Sequence, residues 1–344
     1  MLEWQNLILQ GDCLTVIEKY GEKLKKQIKL IYIDPPFYSG SDYTLKSRTR
    51  GNSTSAGVLI EEEAYSDKWQ DLDEYLEFMR VRLEAMKPLL RDDGSLWIHL
   101  DWHVSHYVKL ILDEIFGYSN FVNEIVWKRT NSPKAQSKGL GSQHDVILLY
   151  AVDSSRFSMN QIYRPHNKSS LKPYSYEDER GRFRLIEVEA QGIQRTEKRK
   201  QFVWRGRRAP YLYRKEKLDA WWKEGLIYTS KNGRYTKKQY LSDVPGVPVS
   251  DLWIDINPIQ GMSKENTGFL TQKPEALLAR IIESSSEPND LIADFFGGSG
   301  TTAVVAISTD RRWIICDLSE TAIAVMRERI SNVASTTNFR VETI

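Results

Sequence analysis

Cysteine is scarce in this 344-residue sequence. Cys13 and Cys316 alone cannot build a disulfide framework or an all-cysteine zinc site, so a reducing compartment is expected. Long apolar runs are missing as well: stretches such as Val146 to Val152 fall far short of the ~18 residues of a membrane span. The opening Met1-Leu2-Glu3-Trp4-Gln5 has neither the basic region nor the apolar core of a secretory signal, and a cytoplasmic location away from membranes is the expectation. What is present is ordinary for a globular protein. Hydrophobic residues at 41% and charged residues at 27% exclude wholesale disorder. The length exceeds the ~100–200 residues of one domain, which points to a core domain plus a second module.

The net charge of +2 conceals an asymmetry. Residues 151–250 hold 22 Lys/Arg against 11 Asp/Glu, whereas the rest of the chain holds 26 against 35. Arg195, Lys198, Arg199, Lys200, Arg205, Arg207 and Arg208 crowd into fourteen residues, with Phe202 and Trp204 among them. Basic side chains that neutralise phosphates, interleaved with rings that stack on or wedge between bases, fit a polyanion. The same run is readable as a solvated basic face, and the rest of the sequence must decide.

From Gln5 to about Tyr150 short apolar runs alternate with amphipathic stretches, the rhythm of βα units around a largely parallel sheet. Strands are expected at Leu7–Leu9, Leu30–Ile33, Leu96–His99 and Val146–Tyr150, and covering helices over Leu72–Leu90 and Val104–Phe116. The rhythm stops over 151–250, which closes on Pro245-Gly246-Val247-Pro248, expected to be a stiff connector. It then returns with a helix over Pro274–Ser284, a strand Leu291–Phe295, a helix from Thr301, a strand Trp313–Ile315 and a helix over Glu320–Ser331.

Two short signatures carry chemistry. In Asp294-Phe295-Phe296-Gly297-Gly298-Ser299-Gly300-Thr301-Thr302 an apolar strand feeds a glycine turn that opens a helix, where backbone amides can approach a small anionic group. Asp317 follows the next strand, 20 residues after Gly297, where a carboxylate can take the two hydroxyls of a ribose. A nicotinamide-dinucleotide fingerprint is also satisfied here, but only 44 residues follow Gly300, too few for the rest of such a fold in ordinary order. The second signature, Ile31-Tyr32-Ile33-Asp34-Pro35-Pro36-Phe37, ends a strand in a carboxylate, two prolines and a ring. The prolines fix the backbone so that the Asp34 carboxylate and the Pro35 carbonyl can grip one amino group, with Phe37 as a stacking face. Read blandly, it is a strand-terminating turn.

Taken together these residues resemble the S-adenosylmethionine-dependent amino DNA methyltransferases, in the permuted (beta) class whose catalytic half precedes the cofactor turn. Gly11-Asp12-Cys13, His99-Leu100-Asp101-Trp102-His103, His144 to Tyr150 and Thr271-Gln272-Lys273-Pro274-Glu275 extend the resemblance over nearly the whole chain. It implies an α/β fold, a Rossmann-like methyltransferase sheet, circularly permuted, with an inserted target-recognition domain. Residues 1–150 would be the catalytic part, 151–250 the basic recognition domain and 251–344 the cofactor-binding part. Asp34, Pro35, Pro36 and Phe37 would surround a flipped base. Asp294, Phe296, Gly297, Gly298 and Gly300 would lie around the methionine part of the cofactor, with Asp317 at its ribose, Asp12 by its adenine, and Lys273 and Thr271 near its carboxylate. The basic residues 195–208, Trp204 included, would contact double-stranded DNA. The chain departs from the family pattern at Phe295 (usually proline), Gly297 (usually cysteine) and Phe37 (more often tyrosine).

Adenine N6 is the expected target, with cytosine N4 served by the same acceptors. Carbon-5 methylation would need a placed thiol, which neither cysteine's context offers. His99, His103 and His106 lack a converging further ligand and are read as core or surface residues, not a metal site. Tyr38–Lys68, rich in Ser, Gly and Thr, is expected to be a lid over the base. The resemblance allows a homodimer and a separate restriction subunit. An inactive DNA-binding relative or a nicotinamide oxidoreductase are the alternatives of other classes, and neither accounts for Asp-Pro-Pro-Phe.

Overall fold

The structure, a computed structural model, describes residues 5–40, 42–48, 59–132, 139–190, 201–269, 271–333 and 338–344. The chain forms two compact units, Met1–Ile162 with Ser250–Ile344, and Tyr163–Val249. The boundary expected at 151 falls at 163, because the intervening residues are bonded into the first unit: Val152 N donates to Gly94 O (3.0 Å), and Asn160 N to Ser284 O (2.7 Å).

In the first unit β1 (Asn6–Gln10) leads to α1 (Cys13–Leu24), whose Asp12 cap accepts from Leu14 N at 2.8 Å and whose Cys13, Val16, Tyr20 and Leu24 face the core. The wholly buried β2 (Ile28–Ile33) follows. In place of a plain lid loop comes a hairpin, β3 (Asp42–Arg48) with β4 (Leu59–Ser66); residues 41 and 49–58 of the expected lid lie outside the described residues. Asp67 pins the hairpin's base by accepting from Tyr38 N, Ser39 N and Trp69 Nε1. The next helix, α2 (Leu72–Met86), is capped by Asp71 and ends four residues earlier than expected, since Pro88 cannot supply an amide to a continuing helix. Strand β5 (Leu90–Leu100), helix α3 (Ser105–Phe116) and strands β6 (Phe121–Lys128) and β7 (His144–Ala151) complete this half.

The second unit comprises β8 (Tyr163–Arg164), α4 (Lys168–Leu171), β9 (Tyr176–Asp178), β10 (Gly181–Glu187), β11 (Phe202–Trp204), β12 (Arg207–Ala209), α5 (Lys215–Lys223), β13 (Ile227–Thr229), β14 (Tyr235–Tyr240) and β15 (Val247–Pro248). An antiparallel sheet runs β13-β14-β10-β9. Val247-Pro248, expected in a connector, instead pairs with Tyr163-Arg164 and ties the unit's entry to its exit. Trp204, expected on DNA, is 1% exposed: it packs with Val188, Ala209, Tyr211, Leu218 and Tyr235, and its Nε1 donates to Asp219 at 2.8 Å. Burying its ring in the small core excludes it as a stacking surface.

The chain then returns to the first unit with β16 (Leu252–Trp253), α6 (Glu275–Ser285), β17 (Leu291–Asp294), α7 (Thr301–Ser308), β18 (Arg312–Asp317), α8 (Glu320–Val333) and β19 (Phe339–Thr343). The sheet order is β16-β6-β7-β5-β2-β17-β18-β1-β19. Only β7 runs antiparallel to its neighbours β5 and β6; the other pairs are parallel. Helices cover both faces, as a parallel sheet requires. No helix among the described residues is long and apolar enough to cross a membrane.

Trp204→Ala is expected to destabilise the second unit by about 3–5 kcal/mol, as for other buried tryptophans. A lowered urea midpoint checks this; unchanged stability with weakened DNA binding would return Trp204 to the surface role.

Candidate active site

Strands β2, β17, β18 and β1 are neighbours, and each delivers a carboxylate at its C-terminal end: Asp34, Asp294, Asp317 and, one residue further on, Asp12. Ligands of open parallel sheets bind along this edge. All four line a cavity of about 360 Å³, together with Arg82, Phe78, Phe269, Thr271, Lys273, Phe296 and the glycine turn.

The turn is set by its backbone. Gly297 N donates to Cys316 O and Gly300 N to Gly297 O, both at 2.8 Å. Gly298 (φ 51°) and Gly300 (φ 75°) adopt left-handed conformations that β-carbons disfavour, and Gly300 caps α7. At Gly297 a β-carbon would lie 2.2 Å from Ile315 Cγ2, so the packing around the turn leaves no space for a side chain there. Arg329 braces the turn from below, donating to Thr301 Oγ1 (2.9 Å) and pairing with Glu275 (2.7 Å).

Each carboxylate is compensated differently. Asp12 pairs with Arg82 at 2.6 Å, and that guanidinium lies 3.5 Å from the Phe78 ring centre. Asp317 accepts from Gly298 N and Ser319 N, though burial still pushes its pKa up. Burial pushes Asp294 up to about 7, against bonds from Thr302 Oγ1 (2.5 Å) and Phe296 N (3.0 Å) and with help from Asp34 and Asp317. Asp34 is bonded through Oδ2 to Lys273 Nζ, while its buried Oδ1 has no hydrogen-bond partner among the described residues.

A second cavity, of about 730 Å³, shares Asp34, Phe269, Thr271, Gln272 and Lys273 with the first and adds Pro35, Phe37, Asp101, Trp127, Arg129 and Asp145. Pro36 does not line it; its carbonyl accepts from Tyr75 Oη at 2.8 Å and so fixes the turn from behind. Phe37 stacks on buried His99, 5.9 Å between centres, and His99 joins Tyr32 Oη (3.3 Å) to Asp145 (3.1 Å). Burial alone would raise the Asp145 pKa, but His99, Lys273 and Arg129 hold it below the usual carboxylate value. Arg82, Phe78, Phe269, Trp127, Arg129 and Asp145 were not singled out from the sequence; they come from elements far apart along the chain and carry no short motif. The block His144 to Tyr150 belongs to the resemblance, but no local signal gives Asp145 its place in the second cavity.

In the second unit Arg195, Lys198, Arg199 and Lys200 lie outside the described residues. Arg205 and Arg208 are exposed, and the Arg205 guanidinium stands 4.1 Å from the Trp222 ring centre. Arg207, expected to meet phosphate, is bound in a two-pronged pair with buried Glu189 (2.7 and 3.0 Å), and its charge is already compensated.

Residues 28–328 match the model of the DNA methylase family, N6_N4_Mtase. The chain belongs to this family. Among its methylase relatives, the type II methyltransferase M.EcaI of Enterobacter cloacae is 31% identical over 89% of this chain and 65% of its own length. The StyLTI Mod subunit, a type III restriction-modification protein of Salmonella typhimurium, is 28% identical over 96% of this chain and 57% of its own. The chain thus spans less than two thirds of these relatives. TTHA0409 of Thermus thermophilus, solved with S-adenosyl-L-methionine, superposes with a TM-score of 0.52 at 13% identity, over 98% of this chain and 99% of that one. The cytosine-N4-specific PvuII DNA methyltransferase gives 0.51 at 13% identity, over 98% and 95%. The fold is therefore the Rossmann-like methyltransferase fold, with an added antiparallel unit.

Gly297→Ala should destabilise the first unit by about 1–3 kcal/mol through overpacking against Ile315 and Met326. Thermal unfolding of the purified variant checks this, and an unchanged midpoint would show that the turn can shift.

Proposed function

We propose that this chain transfers a methyl group from S-adenosylmethionine to the exocyclic N6 amine of an adenine flipped out of double-stranded DNA. The observation that carries the reading is Asp34, which lines both cavities: an amine held on it lies where a cofactor pocket and a base pocket meet. A cavity of about 360 Å³ falls in the ~300–1,000 Å³ range of small-ligand sites. Its residues suit a cationic nucleoside. Asp317 and Asp12 offer acceptors to hydroxyl and amino groups, Asp294 offers a carboxylate to positive charge, and Gly297 and Gly298 let the backbone come close beside Phe296, with Gly300 behind them capping α7. Thr271 and Lys273 lie at the amino-acid end.

When bound, S-adenosylmethionine supplies a methyl already activated on a sulfonium, so positioning and exclusion of water matter more than a strong base. The unpartnered Asp34 Oδ1 and the rigid Pro35 carbonyl accept the two amine hydrogens, draw the lone pair out of the ring and aim it at the first cavity. Phe37, held against His99, covers one face of the base. Asp34 then accepts the proton the amine sheds. No covalent nucleophile takes part: burial pushes the Cys13 thiol up to about 12 and Cys316 well above its ordinary value, so neither is a thiolate at neutral pH.

Permuted order fits the reading, with Asp34 ahead of the glycine turn and the basic unit Tyr163–Val249 between them as the target-recognition domain. There we assign Arg205 and Arg208 to phosphates, with Arg195, Lys198, Arg199 and Lys200 kept from the sequence. The Mod-subunit relatives support a separate restriction subunit as partner, and the family resemblance supports a homodimer.

Labelled S-adenosylmethionine and mixed-sequence duplex DNA, followed by nucleoside analysis, should yield N6-methyladenine. N4-methylcytosine instead would keep the chemistry and overturn the base. Asp34→Asn should lower kcat by about 10²–10³-fold or more while cofactor affinity changes little, as for other lost transition-state contacts; a fully active variant would refute the role of Asp34.

Asp294 sets a pH dependence. Below about pH 7 its carboxyl is protonated in the free protein and must lose that proton to meet a cation. Affinity for S-adenosylmethionine should therefore rise with pH toward 7, by up to about tenfold per unit, and level off above. Calorimetry at several pH values checks this, and Asp294→Asn should flatten the profile.

A further inference from the structure

Lys273 stands at the junction of the two cavities. Its ammonium bonds Asp34 Oδ2, lies 3.4 Å from the Thr271 carbonyl and 5.4 Å from the centre of the Phe37 ring. Both side chains of the pair are largely buried, at 13% and 15% exposure. Held on Oδ2 beside the Phe37 ring, the ammonium leaves Oδ1 open but crowds the place where an amine on Oδ1 must sit. It also puts a positive charge next to an amine that becomes positive as the methyl arrives, which opposes the transfer. The pair must therefore open before reaction, yet a buried ammonium stripped of its carboxylate is costly unless another anion receives it.

The first cavity offers room for that anion. Of the basic side chains lining it, Arg82 is committed to Asp12, and Lys273 is held by the very carboxylate the base requires. The other acidic groups there, Asp294 and Asp317, are bonded to Thr302, Phe296, Gly298 and Ser319. An amino-acid ligand brings its own carboxylate, and Lys273 reaches both cavities.

We propose that Lys273 couples the two sites: its ammonium on Asp34 Oδ2 stands beside the place of the target amine until a ligand carboxylate in the first cavity draws it away and leaves Asp34 to the base. The inference rests on the function proposed above and goes beyond it, since it makes base capture conditional on one chemical group of the cofactor. Lys273 is a positioning residue here, acting through Asp34.

The test uses a duplex whose methylated site has been located by sequencing the methylated DNA, with 2-aminopurine beside the target adenine to report unstacking. S-adenosylhomocysteine should tighten DNA binding and raise the fluorescence response by about tenfold or more, a usual size for coupled sites. S-adenosyl-3-thiopropylamine, the same molecule without the carboxylate, should give less than about a twofold change at saturation. Lys273→Met should flip the base without any ligand and respond equally to both. Equal coupling by the two ligands on the natural protein would overturn the proposal, and needs no variant to fold. So would a Lys273→Met protein that flips no better than the natural one. Failure of S-adenosylhomocysteine to bind at all would instead overturn the reading of the first cavity as a cofactor site.

Discussion

Four carboxylates at the ends of four adjacent parallel strands crowd one cavity, and much of the surrounding architecture answers that crowding. Like charges in a partly buried space must be paired, bonded or protonated. Asp12 takes a guanidinium, Asp34 an ammonium and Asp317 two backbone amides, while burial leaves Asp294 to hold its proton up to about pH 7. Each solution reaches to a different part of the first unit: α2 for Arg82, the segment before α6 for Lys273, and the glycine turn itself for Asp317. Two of the four carboxylates are met by a side-chain cation and two by neutral groups or a proton, so the cavity's charge balance depends on pH near Asp294.

The two signatures were legible because each is a local backbone device. Asp-Pro-Pro-Phe stops a strand wherever it stands, and a strand, glycine turn and helix can be read from adjacent residues. Partnerships were not legible. Lys273 meets Asp34 across 239 positions and Arg82 meets Asp12 across 70, and no periodicity carries that information. The end of α2 differs from the expectation although Pro88 announces it, since the helical spacing from Leu72 through Met86 continues to Leu90 while Leu90 opens a strand.

Trp204 shows how composition misleads. Rings among basic residues look like a nucleic-acid face, but β11 alternates: Phe202 and Trp204 turn inward while Val203 is 59% exposed. Period two, not charge density, decides which side chains face out. Charge is thinned in the same way. Arg180 pairs with Asp243, Arg207 with Glu189, Arg234 with Glu187 and Lys238 with Asp178. Lys217 and Lys237 instead flank the Trp221 ring at 5.3 and 4.3 Å, and burial with the neighbouring Lys217 charge pulls the Lys237 pKa down. Among the described residues of this unit, several positive charges are thus answered locally, and position in the fold decides which face outward.

Phe295 and Gly297 bear on what defines the glycine turn. Phe295 is 2% exposed and joins the large core with Ile31, Ala293 and Ile314, whereas a side chain at 297 would collide with Ile315 and Met326 in a separate cluster. Between the two clusters the backbone path is held by the Gly297 N to Cys316 O bond at 2.8 Å. The turn is therefore specified by where its amides and carbonyls go, with the side chains at 295 and 297 following the packing behind it. A change at either position that the packing behind the turn accepts therefore leaves this edge of the sheet as it is.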